Sequence, residues 1–216
     1  LNRMENLPLV TINESLCRMC YACVRVCPVK AIRMTEGDKT PRILPERCIG
    51  CGLCVEACSP GAISVRDSRQ EVRSILASGD QVVAITDPSI SGEFDDITDY
   101  RKFVQMIKAL GFQYVNEASF GVDLVARQYA DMIIRTRGKN FITSCCPVVV
   151  SYIEKYHPDL IPNLIPVVSP MIASARVVRK KYGSDVKVVY IGPCIEAKNE
   201  ISRFEGDARI DAVLTF

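Results

Sequence analysis

The spacing of the cysteines constrains this chain more than any other feature of its sequence. Eight of the eleven cysteines lie between residues 17 and 58, in two runs that share the pattern Cys-x2-Cys-x2-Cys-x3-Cys. The first run begins at Cys17 and the second begins 31 residues later, at Cys48. Zinc sites use paired Cys-x2-Cys units, and disulfide frameworks are typical of small secreted proteins, so both alternatives fit two four-cysteine runs poorly.

This spacing is that of bacterial ferredoxins, in which the fourth cysteine of each run ligates the cluster of the other run. It therefore predicts two 4Fe–4S cubes with exchanged fourth ligands. The predicted ligands of the first cube are Cys17, Cys20, Cys23 and Cys58, and those of the second are Cys48, Cys51, Cys54 and Cys27.

The residues around the two runs repeat as well. A strand-like stretch precedes each run (Val10–Ile12 and Arg42–Leu44), and an Ala-Ile pair follows each run. Each half therefore predicts the order strand, cluster loop, short helix and strand, which makes residues 1–66 an α+β ferredoxin-like domain. The isoleucines expected to pack over the cubes and exclude water are Ile12, Ile32, Ile43 and Ile63.

After this domain the pattern changes. Residues 67–80 predict a linker helix that ends at Gly79, and residues 81–216 alternate between strands and helices. Buried-type strands such as Val82–Thr86 predict an α/β domain with an open parallel sheet and helices on both faces. Further strands are expected at 113–115, 141–143 and 186–191, and helices at 94–110 (with Ile97), 122–133, 146–156 and 172–182.

The composition limits the classes of partner that this chain is expected to bind. The chain is 48% hydrophobic and 24% charged with a formal net charge of +2, so neither nucleic acid nor an anionic membrane is an expected partner. No apolar run reaches membrane-spanning length, and no signal peptide is visible. Thiolate-rich metal sites without a signal peptide predict a cytoplasmic protein.

Three cysteines remain, and all are predicted to follow strands of the α/β domain. Cys145 and Cys146 follow residues 141–143, and Cys194 follows residues 186–191. Open α/β sheets place their chemistry beyond the carboxyl ends of strands, yet buried free cysteines are common, so the pattern leaves a functional and a packing role open. A helix N-terminus at Cys146 would favour a thiolate ligand.

The segments around these cysteines resemble the iron–iron hydrogenases. Residues 143–147, Thr-Ser-Cys-Cys-Pro, look like the first signature of that family, and residues 192–200 are similar to the second. Residues 110–112, residues 119–124 and Ser169-Pro170 match in the same order, so the resemblance covers essentially the whole chain, including a ferredoxin domain ahead of the active-site domain.

The resemblance implies an enzyme that interconverts H2 with protons and electrons. It implies a third 4Fe–4S cube, bridged to a di-iron unit that bears CO, cyanide and a dithiolate amine (the H-cluster). Cys146 and Cys194 would bind that cube, and Cys145 would be the catalytic residue that exchanges protons with the amine. Lys198, Ser169 and Pro170 would contact the cofactor, and a redox partner such as ferredoxin would exchange electrons with the two ferredoxin cubes.

The chain departs from the family in its cube ligands. The third family signature, which supplies two further cube ligands, has no counterpart among the eleven cysteines. We therefore expect the 216 residues to be the N-terminal part of a longer protein that continues into a C-terminal portion or a signalling domain. The intact protein would be an enzyme, and the chain alone would be inactive.

Other departures concern the cofactor and the proton path. The methionine of the second signature is Gly192, and its lysine is Ala197 with Lys198 one position later. The glutamates of the family proton path are replaced by Gln128, Tyr129 and Met132, and its serine by Ile165. These changes resemble the divergent branch associated with H2 sensing. The alternative hypothesis is a non-enzymatic iron–sulfur electron carrier, or a hydrogenase-related assembly factor without the di-iron unit.

Overall fold

The computed structural model describes residues 8–94 and 99–216. The first part of the described chain forms two small antiparallel ladders, in which β1 (Val10–Ile12) pairs with β4 (Ile63–Val65) and β2 (Ile32–Arg33) pairs with β3 (Arg42–Ile43). The short helices α1 (Ala22–Val26) and α2 (Leu53–Glu56) begin after the second cysteine of their runs and contain the third. The predicted repeat of strand, loop, helix and strand is thus confirmed in both halves.

The ladders enclose a core made largely of isoleucine and cysteine. Ile32 and Ile63 are buried, and the half-buried Ile12 and Ile43 pack against them. The same cluster contains five of the cysteines, namely Cys23, Cys27, Cys48, Cys54 and Cys58. Strands of two or three residues bury too little apolar surface to be stable alone. The cysteine-lined space is therefore central to this part of the fold.

A linker helix, α3 (Arg69–Leu76), leads from β4 to a parallel sheet. Within the described residues this sheet has four strands in the order β6-β5-β7-β8. The strands are β5 (Val82–Thr86), β6 (Tyr114–Glu117), β7 (Lys187–Ile191) and β8 (Ala212–Leu214). The helices of this domain are α4 (Ile90–Glu93), α5 (Tyr100–Ala109), α6 (Ser119–Arg135), α7 (Pro147–Tyr156), α8 (Pro170–Tyr182) and α9 (Ala197–Glu200).

Helices cover both faces of the sheet, as predicted. All five residues of β5 are buried. Val83 and Ile85 pack with residues of α8 on one face, whereas Val82 and Ala84 pack with residues of α3 and α5 on the other. This alternation explains why β5 reads as a continuous apolar run: a strand covered on both sides has no polar face.

The predicted strand at 141–143 is wrong. Ile142 forms one parallel bridge with Leu164, and the pair lies outside the four-stranded sheet. Both edges of β7 are already occupied, by β5 and β8, so this short segment has no place beside it. The loop that carries Cys145 and Cys146 consequently does not follow a strand of the main sheet.

The helix predicted over 94–110 is divided. The structure forms α4 before Phe94 and α5 from Tyr100, while Ile97, expected within this helix, lies outside the described residues. The other predicted helices are present. The start of α8 could be predicted from the sequence because Ser169 accepts a hydrogen bond from the Ile172 amide and Pro170 takes the first helical position. In the described part of the chain, no helix is both long and apolar enough to cross a membrane.

Helices α6 and α8 cross closely at Gly121. A Cβ atom at this position would lie 2.2 Å from Ser174 Oγ and 2.3 Å from the Pro170 carbonyl oxygen. The second of these atoms is backbone and cannot rotate away. Only glycine therefore allows this crossing, which places the start of α8 against α6.

We expect Gly121→Ala to lower the free energy of unfolding by about 2 kcal/mol, because the added methyl group forces the helices apart. For a chain of this length that corresponds to a fall of roughly 4–8 °C in the thermal midpoint. Gly92→Ala is the matched control, since a Cβ there meets nothing within 4 Å. Equal midpoints for the two variants, measured by anaerobic thermal unfolding, would contradict this account of the crossing.

Candidate iron–sulfur sites

The first predicted ligand set surrounds one small cavity. Cys17, Cys20, Cys23 and Cys58 all line it, and Ile12, Pro60 and Ile63 supply its apolar wall. The loop curves around this space through left-handed backbone at Met19 (φ 56°) and Tyr21 (φ 58°). The structure therefore brings together the four thiols that the spacing predicts for the first cube, including the one from the second run.

The fold also brings together the thiols that are predicted to ligate the second cube. Burial raises the pKa of the Cys54 thiol to about 12, and the neighbouring thiols of Cys48, Cys51 and Cys27 act in the same direction. Cys27, the fourth cysteine of the first run, is thus within electrostatic range of the second set. Thiols held in this way become thiolates only beside a positive charge, which the iron ions of a cluster provide.

Backbone amides point at several of these sulfur atoms. The Ala31 amide donates to Cys27 Sγ at 3.1 Å, and the Ala62 amide donates to Cys58 Sγ at 3.2 Å. These contacts are related by the same 31-residue shift as the cysteines. Amide donors stabilise anionic sulfur and influence the potential of a cluster, so the donor set fits 4Fe–4S cubes.

A site for a single metal ion differs in its arrangement from a site for a 4Fe–4S cube. Within residues 8–94 and 99–216, no group of three or more Cys, His, Asp or Glu side chains is placed to hold one metal ion.

The third candidate site joins two loops of the α/β domain. Cys146 precedes α7 at its N-cap position, and Cys194 lies three residues beyond the end of β7. Burial raises the pKa of the Cys194 thiol, the amides of Ala197 and Glu196 oppose this, and the Cys146 thiol raises it further. Cys146 and Cys194 are therefore within electrostatic range of each other, although they lie 48 positions apart in the sequence.

Cys145, the predicted catalytic residue, is exposed. Its Sγ atom lies 3.9 Å from Thr143 Oγ1. Solvent can therefore exchange protons with this thiol directly. Ile165, at the position of the family's relay serine, is buried and apolar and offers no group to carry a proton.

Tyr129 anchors the loop that contains Cys145 and Cys146. Its hydroxyl accepts a hydrogen bond from the Ser144 amide at 3.0 Å and lies 3.2 Å from Ser144 Oγ. The Ser144 hydroxyl in turn donates to the Val167 carbonyl at 2.6 Å. Tyr129 was named in the sequence only as a departure from the proton path, and here it fixes the loop.

Ser169 and Pro170, predicted to contact the cofactor, begin α8 beside this loop. Ser169, Ser144, Glu196 and Glu200 line a cavity of about 120 Å³. Burial raises the pKa of the Glu200 carboxyl, and a hydrogen bond with the Ser169 hydroxyl partly offsets that rise. Ser169 thus serves both α8 and Glu200, and its contact with a cofactor stays a prediction.

The Lys198 side chain points away from the cavity beside Ser169. Its ammonium donates to Ser68 Oγ at 2.9 Å and to the Val213 carbonyl at 2.8 Å, next to the linker helix and β8. Burial lowers its pKa to about 8. The ammonium is committed to these partners and is absent from the residues that line the cavity beside Ser169. Its predicted role in cofactor binding therefore gains no support from the geometry.

A residue that the sequence did not single out occupies the space next to Gly192. A Cβ at Gly192 would lie 2.6 Å from Tyr190 Cε1, so the tyrosine ring leaves no room for a larger side chain. The Tyr190 hydroxyl donates to Asp87 Oδ2 at 2.5 Å. Burial and this bond raise the pKa of Tyr190. The loss of the family methionine is thus matched by a tyrosine two residues earlier.

The third site adjoins the second ferredoxin loop. The Tyr156 hydroxyl donates to the Arg47 carbonyl at 2.8 Å and to the Val29 carbonyl at 3.2 Å, and Ile195 packs against the cysteine-containing core. Sequence patterns did not reveal this contact, because it joins surfaces more than 100 residues apart.

We expect Tyr129→Phe to loosen the Cys145–Cys146 loop, because the Ser144 amide would lose its acceptor at a cost of about 1–2 kcal/mol. Hydrogen–deuterium exchange of residues 141–150 should become faster. Tyr152→Phe is the control, since its hydroxyl lies 3.0 Å from His157 Nε2, outside that loop. If exchange is unchanged in Tyr129→Phe, the tyrosine is not the anchor of this loop.

Comparison with known proteins shows the family to which this chain is related. Residues 80–216 match the family described as "Iron only hydrogenase large subunit, C-terminal domain", and residues 9–59 match "4Fe-4S dicluster domain". The chain is 31% identical to the periplasmic [Fe] hydrogenase large subunit of Nitratidesulfovibrio vulgaris over 98% of its own length and 56% of that protein. It is 24% identical to the cytosolic Fe-S cluster assembly factor NAR1 of Yarrowia lipolytica, over 73% of its length and 36% of that protein.

Solved structures share the fold. The apo [FeFe]-hydrogenase HydA1 from Chlamydomonas reinhardtii, in a variant form, superposes with a TM-score of 0.60 at 24% identity, covering 69% of this chain and 45% of that one. The chain spans between about a third and just over half of the length of the curated relatives named as hydrogenases or NAR1. The family match covers more than half of the chain, which therefore belongs to the iron only hydrogenase large subunit family and carries a 4Fe-4S dicluster domain at its N-terminal end.

Proposed function

We propose that the intact protein interconverts H2 with protons and electrons, or senses H2 by the same chemistry, and that two 4Fe–4S cubes relay the electrons. The observation that carries this proposal is that Cys146 and Cys194 lie within electrostatic range of each other, while Val148 and Ile195, which follow them closely in the sequence, pack against the core of the second ligand set. Two thiols are half of the ligands that a third cube needs. The cytoplasm, where thiolate ligands stay reduced, remains the expected location.

The chain's own residues have defined tasks in this proposal. Cys146 and Cys194 hold the third cube, while Tyr129 keeps the Cys146 loop in place through the Ser144 amide. A di-iron unit, when bound, would supply the site at which H2 is split or formed. Cys145 holds the exchangeable proton on its Sγ atom and receives it from solvent, because Ile165 closes the usual internal route.

The path for electrons is short. Ile195, next to Cys194, packs against the core that contains Cys48, Cys54 and Cys58. The second cube would therefore lie between the third site and the first cube. Because two cubes with exchanged fourth ligands share the same small core, an electron could pass from one to the other and then to a ferredoxin-type partner at the surface.

The second candidate function is a non-enzymatic role in iron–sulfur cluster assembly. The similarity to NAR1 favours it, as do the glycine at 192 and the diversion of Lys198 to Ser68. An assembly factor of this kind would keep the cubes and would not require the Cys145 thiol for turnover.

Cluster content tests the relay. After anaerobic reconstitution, we expect about eight irons and eight sulfides per chain, for two cubes. Cys58→Ala and Cys27→Ala should each remove one cube and leave about four irons, because each takes the fourth ligand from the opposite cube. Cys145→Ala is the control and should keep about eight. Four or fewer irons in the unaltered chain would refute the two-cube relay, and about twelve would place a third cube on Cys146 and Cys194 as well.

Cys145→Ser tests the choice between an enzyme and an assembly factor. In the intact protein we expect this variant to lose at least about 100-fold in H2 turnover while keeping its iron, because a serine hydroxyl is a far weaker acid than a thiol. Tyr152→Phe, a change on the exposed face of α7, should keep full turnover. Unchanged turnover in Cys145→Ser would show that Cys145 does not transfer the proton. Absence of H2 turnover in the unaltered, fully loaded protein would favour the assembly role.

A further inference from the structure

The two cluster loops differ at equivalent positions. Three residues of the first repeat with left-handed backbone, Met19, Tyr21 and Lys30, correspond by the 31-residue shift to glycines of the second repeat, at 50, 52 and 61. The first repeat shows that residues with side chains adopt this conformation here. Backbone conformation alone therefore does not explain the glycines of the second repeat.

Contact with the α/β domain explains two of them. A Cβ at Gly50 would lie 2.1 Å from Glu196 Oε2, and a Cβ at Gly52 would lie 2.9 Å from Ile195 Cδ1. A Cβ at Gly61 would meet nothing within 4 Å. The Glu196 carboxylate thus rests directly on the backbone between two ligands of the second set, Cys48 and Cys51.

Glu196 is only 4% exposed, and burial raises the pKa of its carboxyl, while a hydrogen bond and two nearby cations oppose that rise. Its Oε2 atom accepts a hydrogen bond from Asn199 Nδ2 at 3.1 Å, and the cationic side chains of Lys155 and Arg203 lie within electrostatic range. Lys155 approaches the same loop, where its ammonium donates to the carbonyls of Cys48 and Pro45. The α/β domain therefore places one negative and one positive group on the loop of the second set.

We propose that Glu196 and Lys155 set the reduction potential of the second cube in opposite directions, and so separate it from the potential of the first cube. Both act as positioning residues, because neither is a ligand. Reduction adds an electron to the cube, so a nearby carboxylate opposes it and a nearby ammonium favours it. Glu196 is buried and acts with little screening, whereas Lys155 is exposed and acts more weakly. The inference rests on the proposed two-cube relay.

The test uses the full chain with both cubes and measures midpoint potentials by anaerobic titration with EPR detection. Glu196→Gln keeps the shape and removes the charge. We expect the equilibrium constant for reduction of one cube to rise about tenfold, which is about 59 mV for one electron. Lys155→Met should shift the same cube to lower potential by a smaller amount. The other cube should keep its midpoint in both variants, and Glu205→Gln, a carboxylate exposed on the surface, should change neither.

The experiment distinguishes a failure of the charge effect from a failure of the two-cube relay. If the unaltered chain lacks two cubes, the relay itself fails. If two cubes are present and neither variant moves a midpoint, or both variants move it in the same direction, the charge effect is refuted while the relay stands. If Glu196→Gln loses iron, the sign of the shift in Lys155→Met, a surface change, decides the matter. A shift shared equally by both cubes would also overturn the proposal.

Discussion

The structure of residues 8–66 depends on holding eight thiols in two crowded sets. Its strands contain only two or three residues each, and its helices only four or five, so hydrogen bonds and apolar burial contribute little. Burial raises the pKa of Cys54 to about 12, which makes bare thiolates unfavourable there. Iron ions would supply the missing positive charge, and cluster binding and folding of this domain would then be one process.

The same constraint shapes the junction between the two domains. An internal repeat would be expected to present two equivalent loops, yet the α/β domain places Glu196 and Ile195 directly on the backbone of the second. Gly50 and Gly52 permit this approach, whereas Met19 and Tyr21 carry side chains at the equivalent positions. The absence of these two side chains therefore lets the α/β domain pack against one copy of the repeat, and it would make the two proposed cubes electrostatically unequal.

The third site is assembled from loops that are supported in different ways. Cys194 is carried by β7, a strand in the middle of the sheet, and the amides of Ala197 and Glu196 face its sulfur. Cys146 belongs to a loop outside the sheet that is held by Tyr129 and by the first turn of α7. One side of the site is therefore supported by the central sheet, while the other relies on a few hydrogen bonds.

The sequence by itself determined the duplication and most of the parallel sheet, and it predicts the cluster ligands, whose thiols the fold brings together. Cysteine spacing and runs such as Val82–Thr86 are local patterns, and a short loop or a buried strand satisfies them without reference to distant residues. Even the exchange of Cys27 and Cys58 follows from the repeat. The apolar residues at 141–143 were misread as a sheet strand, because a local pattern cannot show that both edges of β7 are already paired.

Only the tertiary structure decided which side chains face the third site. Ala197 occupies the position of the family lysine, and Lys198 is the next residue. The Lys198 ammonium reaches Ser68 and Val213, because the linker helix and β8 pack beside it. Tyr190 was unremarkable in the sequence, and its hydrogen bond with Asp87, like the contact of Glu196 with Gly50, joins segments through space. Such contacts arise when separate elements pack together, so their physical cause is absent from any single stretch of the chain.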